Sequence, residues 1–128
     1  SNQEDITADG SPHTIVFGTE RFDQGANFAS NTFTAPVTGK YQLNVFIALT
    51  DIDTAATYVK VMLRTSNRDF NWIIDPNYAA DLSYFTVGYS VVTEMEATDT
   101  AFVMFEQSGG AALANVTTNS SFSGFLAC

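Results

Sequence analysis

Few side chains in this 128-residue chain are of a type and spacing that can do chemistry. The only histidine, His13, has no recognisable nucleophile motif beside it. A catalytic triad needs a base next to its serine or cysteine, so His13 reads as a surface or strand-end residue. No zinc spacing, Walker loop or dinucleotide glycine pattern occurs. Gly109-Gly110 lies between a strand and a polar loop and reads as turn chemistry. Enzyme activity is therefore not expected. Two other groups suit binding. Asp51-x-Asp53 sets two carboxylates in one loop. Calcium takes oxygen ligands readily, but a dedicated calcium loop is missing, so the other reading is a solvated acidic rim. Trp72 and Tyr78 flank Asp75-Pro76-Asn77. An aromatic face with Asp or Asn beside it suits a sugar, so Trp72, Asp75, Asn77 and Tyr78 form a candidate glycan site. The other reading puts Trp72 in the core, where large aromatics are mostly found. Asn115-Val116-Thr117 and Asn119-Ser120-Ser121 are acceptor sequons, relevant only in a secreted eukaryotic protein.

The composition sets limits. Hydrophobic residues make up 45% of the chain and charged residues 15%, with a net charge of −9. This is enough apolar material for one domain with a real core, and too much for a disordered chain. An acidic chain is a poor partner for nucleic acid and for anionic membrane surfaces, so neither partner is expected. No apolar run is long enough for a transmembrane helix, so membrane insertion is not expected either. Lys60, Arg64 and Arg68 lie within nine positions, so one local patch is neutral or positive. The single cysteine, Cys128, cannot form an intrachain disulfide; it is either a loose thiol or a link between subunits.

The elements that must position these residues read as strands. Phe33-Thr34-Ala35-Pro36-Val37-Thr38-Gly39-Lys40-Tyr41 is a strand end, a turn and a new strand. Pro36 pushes Ala35 into the extended region, and Gly39 is expected to take a positive φ. From Lys40 to Thr50, Tyr41, Leu43, Val45, Ile47 and Leu49 share one face, two residues apart. Thr57 to Arg64 alternates, with Val59, Val61 and Leu63 inward and Tyr58, Lys60, Met62 and Arg64 outward. That outward stripe reads as a solvent face or a lateral site. Further strands read as His13 to Phe17, Phe70 to Ile74, Leu82 to Met95, Ala101 to Glu106 and Ser121 to Ala127. Residues 1–12 read as a flexible lead-in and 13–128 as the domain. No helical period with caps occurs. About eight short strands between turns make an all-β sandwich or barrel, and a two-layer jelly roll manages its edges. Several strands are apolar on both faces, yet a two-layer sandwich has one interior. A symmetric oligomer that covers the second face resolves this.

The chain resembles the complement component 1q-like globular head domain, which shares its jelly roll with the tumour necrosis factor family. Four strings carry the resemblance: Phe22-Asp23-x-Gly25-x-x-Phe28, Phe33 to Tyr41, Met95-x-x-x-Asp99-Thr100-Ala101-Phe102-Val103, and Ser121-Phe122-Ser123-Gly124-Phe125-Leu126. Thr98 stands where that family usually has glycine. The resemblance implies about ten antiparallel strands in a two-sheet jelly-roll sandwich that assembles as a homotrimer. It implies aromatic strands at the threefold axis, for which Tyr84, Phe85, Tyr89, Phe102 and Met104 are the candidates. It also implies three loops at one end, Asp51–Thr57, Asp75–Asp81 and Gln107–Asn119. Asn115 joins the glycan candidates there, and calcium at the trimer apex would involve Asp51 and Asp53. The implied role is a recognition head for a cell-surface glycan or protein receptor. The expected setting is extracellular or on a virion surface, at the tip of a phage or bacterial fibre. The alternatives are a structural trimerisation cap and a secreted eukaryotic signalling head.

Overall fold

A computed structural model describes residues 3–17 and 28–128. The strands are β1 (His13–Thr14), β2 (Phe28–Ala29), β3 (Thr32–Thr34), β4 (Gly39–Ile52), β5 (Tyr58–Thr65), β6 (Asp69–Ile74), β7 (Leu82–Met95), β8 (Thr100–Ser108), β9 (Asn115–Val116) and β10 (Ser121–Leu126). They form a jelly-roll sandwich of two antiparallel sheets. One sheet runs β2-β3-β8-β5-β6, with β1 also on β8; the other runs β10-β4-β7, with β9 also on β4. Both β1 and β3 lie along β8, end to end, opposite Met104–Phe105 and Thr100–Ala101.

The core follows from the period of two. Tyr41, Leu43, Val45, Ile47 and Leu49 of β4 are buried, and so are Val59, Val61 and Leu63 of β5 and Val103 and Phe105 of β8. Removing each such side chain from water contributes about 1.5–3 kcal/mol. This row of β4 side chains faces the β5–β8 row and fixes the distance between the sheets. The inward sets therefore match the sequence reading. The short strands β2 and β9 escaped it, because two residues carry no period.

The Phe33–Tyr41 string closes on itself. The Tyr41 hydroxyl donates to the Val37 carbonyl at 2.6 Å and accepts from the Val37 amide at 3.3 Å. The Phe33 and Tyr41 rings meet edge to face. Gly39 is required for a reason other than the one expected. Its φ is not positive. A Cβ there would lie 2.7 Å from Leu126 Cδ1 and 2.9 Å from the Cys128 carbonyl oxygen, so the site needs space. Gly109 and Gly110 do take positive φ, 75° and 72°.

Three other expectations change. Of the lead-in read over residues 1–12, residues 3–12 are tied to the sheets. Gln3 bonds Val116 through its backbone amide and carbonyl, Ile6 is buried and its amide donates to the Ala114 carbonyl, and Asp9 bridges to Ser108. The signal is a single apolar residue among polar ones, too little to show a period. The first strand is short, ending at Thr14, although Ile15 is buried. Met62 faces outward but is buried, because Met104 lies opposite it on β8 and the Arg64 guanidinium lies over its sulfur. Phe22, Asp23 and Gly25 lie outside the described residues.

Thr98 has φ 76° in the turn between β7 and β8, where its amide N–H donates a hydrogen bond to the Ala35 carbonyl at 2.8 Å. A left-handed backbone at a β-branched residue is strained. Thr98→Gly is expected to raise stability by about 1 kcal/mol. Chemical denaturation should show a higher midpoint with an unchanged slope.

Candidate functional site

The three loops meet at one end of the sandwich, because β4, β6 and β8 all run toward it. They carry four aspartates and no lysine or arginine. Asp53 accepts from the Ala55 amide at 2.8 Å on one oxygen and from the Ala111 amide at 2.6 Å on the other. The Ala111 amide first, and the Ala55 amide second, hold its carboxyl below the usual value of 3.8. Asp53 thus ties the β4–β5 loop to the β8–β9 loop. Asp81 ties the third, accepting from the Thr54 amide at 3.0 Å and its hydroxyl at 3.2 Å.

Asp51 does something different. Its φ is 59°, and one of its oxygens accepts from Asn115 Nδ2 at 3.0 Å. The same Asn115 amide donates to Thr50 Oγ1 at 3.1 Å, while its Oδ1 accepts from the Asp5 amide at 2.8 Å. Asn115 is therefore a structural clasp for the N-terminal segment. Asp5, Asp51 and Asp81 line a shallow depression of about 230 Å³ with Leu82, Ser83 and Leu113. Among the described residues no group of three or more His, Cys, Asp or Glu is arranged to hold a metal ion. Within one chain Asp51 and Asp53 do not fit calcium as a pair. Amide hydrogens already face both oxygens of Asp53, and their partial positive charge opposes a cation.

The glycan candidates divide. Asp75, Asn77 and Tyr78 are exposed in the β6–β7 loop. Trp72 lies on β6, opposite Val61, and stacks on Tyr89 at 5.9 Å. It is neither core nor loop. At 44% exposed, it plugs the open side of the sandwich, where edge strand β6 faces edge strand β7. Beneath it the Tyr89 hydroxyl donates to the Phe70 carbonyl at 3.2 Å, and burial pushes its pKa up to about 12.

The five interface candidates also separate. Tyr84 lies on the outer face of the β10-β4-β7 sheet. Phe85 and Tyr89 alternate with it and turn into the sandwich. Phe102 and Met104 lie on the outside of the other sheet, with Met104 buried. The five therefore lie on the outer face of one sheet, in the interior and on the outer face of the other. Hydrophobicity on both faces of a strand does not say which face is which.

The outward stripe of β5 is ion-paired. Lys60 Nζ lies 3.4 Å from the buried Glu106 carboxylate, which also accepts from the Tyr58 hydroxyl and so raises the Tyr58 pKa. Arg64 binds Asp69 through two nitrogens, at 2.9 and 3.1 Å, and lowers its pKa. His13 bonds Asp9 at 3.0 Å. Cys128 is exposed.

Of the outer face of the β10-β4-β7 sheet, sequence reasoning named Tyr84 as an interface candidate and missed Phe46, Val92 and Phe125. Phe46, Tyr84, Val92 and Phe125 are 45%, 83%, 61% and 50% exposed there. Between them Asn44 Oδ1 accepts from Gln42 Nε2 at 2.9 Å and from Ser90 Oγ at 2.7 Å, while Asn44 Nδ2 donates to Ser123 Oγ at 3.2 Å. The signal was the uncharged even-numbered row of β4, from Gln42 to Thr50.

The family model described as C1q domain matches residues 1–127. A search of curated proteins returned no match. Among solved structures, the globular domain of zebrafish complement 1qA protein is similar, with a TM-score of 0.69 and 15% identity. The match covers 99% of this chain and 93% of that one. At that identity it speaks to the fold.

Asp53 generates a pH prediction. Its folded pKa is depressed, so its contribution is full above the unfolded value of 3.8 and is lost as pH falls through the folded value. Asp53→Asn is expected to lower Tm by a few degrees at neutral pH, and by progressively less below about pH 4. Thermal melts of both proteins from neutral to acid pH would check this.

Proposed function

Because the chain belongs to the C1q domain family, we propose that it is a non-enzymatic recognition head. It works as a homotrimer, and its end loops contact a glycan or protein receptor on a cell surface. The observation that carries self-association is the outer face of the β10-β4-β7 sheet. Four large apolar side chains stand on it, and Lys40 and Glu94 mark its charged border at one end. Its polar side chains already satisfy one another, so a second copy can cover them without stranding a donor. An apolar, uncharged face of this kind is costly to leave in water and suited to a symmetric contact.

Recognition rests on the loops. Asp53, Asp81 and Asn115 brace them from within, which leaves Asp75, Asn77 and Tyr78 as the exposed side chains of a stiff end. A loop held in place binds at lower entropic cost. Three copies at one end would add avidity to a weak single site. The composition, with no internal cysteine and few charges, supports a setting at the tip of a phage or bacterial fibre, outside the cell or on the virion.

Light scattering at micromolar concentration is expected to give three chain masses. Tyr84→Asp with Phe46→Asp should give a folded monomer, because the contact would have to bury unpaired charge. Asn77→Ala with Tyr78→Ala should leave the trimer intact and weaken cell-surface binding about tenfold or more. If that variant bound as before, the chain would be a trimerisation cap without a ligand of its own at these loops.

A further inference from the structure

Residues 3–12 cross from one sheet to the other over the loop end. Gln3 is bonded to both sheets. Its amide donates to the Val116 carbonyl at 2.9 Å, and its carbonyl accepts from the Val116 amide at 2.8 Å, on β9. Its side chain reaches the other sheet, where Nε2 donates to the Thr14 carbonyl at 3.1 Å and Oε1 accepts from the Val16 amide at 3.1 Å. Ile6 is buried, and its amide donates to the Ala114 carbonyl at 3.0 Å. Asp9 accepts from the Ser11 amide at 3.0 Å and bonds His13 at 3.0 Å.

Two terms work against this docking. The first is backbone strain. Asp5 has φ 48° and Asp51 has φ 59°. A left-handed backbone is sparsely populated outside glycine and persists where neighbours hold it. One side chain holds both. Asn115 Oδ1 accepts from the Asp5 amide at 2.8 Å, while its Nδ2 donates to the Asp51 carboxylate at 3.0 Å. The second is charge. The segment carries Glu4, Asp5 and Asp9, and the loops beneath it carry Asp51, Asp53, Asp75 and Asp81. Asp5, Asp51 and Asp81 line one depression, and no cationic side chain lines it with them. Like charges repel there, and salt weakens the repulsion. Burial and hydrogen bonds close the segment, while strain and repulsion oppose them. Such a balance gives local opening at low cost.

We infer that residues 3–9 are a releasable strap, latched by Asn115, whose docking sets the stiffness of the three end loops. The strap thereby regulates the receptor contact proposed above, and in this respect it rests on that reading. A chain of hydrogen bonds carries the effect. The strap holds Asn115 through the Asp5 amide, and Asn115 holds Thr50 Oγ1 and Asp51 at the head of the β4–β5 loop. Further along that loop, the Thr54 amide and hydroxyl donate to Asp81. Asp81 closes the β6–β7 loop, which carries Asn77 and Tyr78. Asp53 of the same β4–β5 loop pins Ala111 of the third loop, and the Ile6 amide pins Ala114 there. Release of the strap removes the Asp5 amide from Asn115 and the Ile6 amide from Ala114. The loops then have more conformations to lose, and binding through them costs more entropy.

The test is amide hydrogen exchange of the full chain at neutral pH, read residue by residue by NMR, in the wild type, Ile6→Ala and Asp5→Asn. In Ile6→Ala, exchange at Thr54, Ala55 and Ala111 is expected to quicken about tenfold or more. Thr65 and Thr98, at the other end of the sandwich, should keep their rates. Asp5→Asn removes a charge and keeps a residue that tolerates a left-handed backbone, so protection of the Ile6 amide should rise several-fold. Raising salt from about 20 mM to about 500 mM should also raise Ile6 protection in the wild type, and less so in Asp5→Asn. A segment that merely packs would respond to neither. The proposal is overturned if Ile6→Ala quickens exchange in the strap alone or at every site alike, or if Ile6 protection ignores both Asp5→Asn and salt. Cell-surface binding separates the two readings. If Asn77→Ala with Tyr78→Ala binds as the wild type does, loop recognition fails, and loop exchange still decides the strap.

Discussion

The structure depends on one row of side chains meeting another. Tyr41, Leu43, Val45, Ile47 and Leu49 of β4 pack against Val59, Val61 and Leu63 of β5 and Val103 and Phe105 of β8. All are β4 or β5/β8 residues of one parity. A shift of one residue in either strand would turn a whole row to water, so register is fixed by burial. Both rows sit on inner strands of their sheets, flanked on each side by partners. The edge strands are consequently free to serve other ends. On one open side β6 and β7 are closed by the Trp72–Tyr89 stack rather than by backbone pairing.

The two ends of the sandwich are built by different chemistry. At the loop end, Asp53 and Asp81 accept backbone amides and tie three loops together. At the other end, the Phe33–Tyr41 string and the β5–β6 turn are locked by Tyr41 and Asn67, and lysine and arginine side chains stand free over the β7 margin. A carboxylate accepts a backbone amide there too, Asp99 from Glu96 at 2.9 Å, so the ends differ in their cations and not in this bond.

The outer faces of the two sheets differ in the same way. That of the β5–β8 sheet pairs its charges locally, Lys60 with Glu106 and Arg64 with Asp69, so its hydrophobic members Met62 and Met104 are already covered. That of the β10-β4-β7 sheet carries no charge between its ends and leaves Phe46, Tyr84, Val92 and Phe125 in the open. On the first face Ile73 of β6 is the large apolar side chain left open, at 64% exposed, whereas the second carries four. That asymmetry is what the proposed self-association rests on.

By itself, the sequence determined the fold class, the inward faces and most strand limits. These are local, because a period of two and the turn residues between runs report burial strand by strand. Leu82–Met95 was read to the residue, and the string from Phe33 to Tyr41 marked its turn. The resemblance then supplied the sandwich topology. Only the tertiary structure decided which outer face each two-sided strand presents. Phe85 and Tyr84 are neighbours in sequence yet end inside and outside the sandwich, and Phe102 ends on the opposite sheet from Tyr84. It decided that Asp53 is loop glue, since one amide that occupies it comes from Ala111, 58 positions away. It also placed Lys40 and Arg68 in one depression. Pairings across the sheet depend on partners that no local pattern names, because a side chain's chemistry is set by what the fold brings to it.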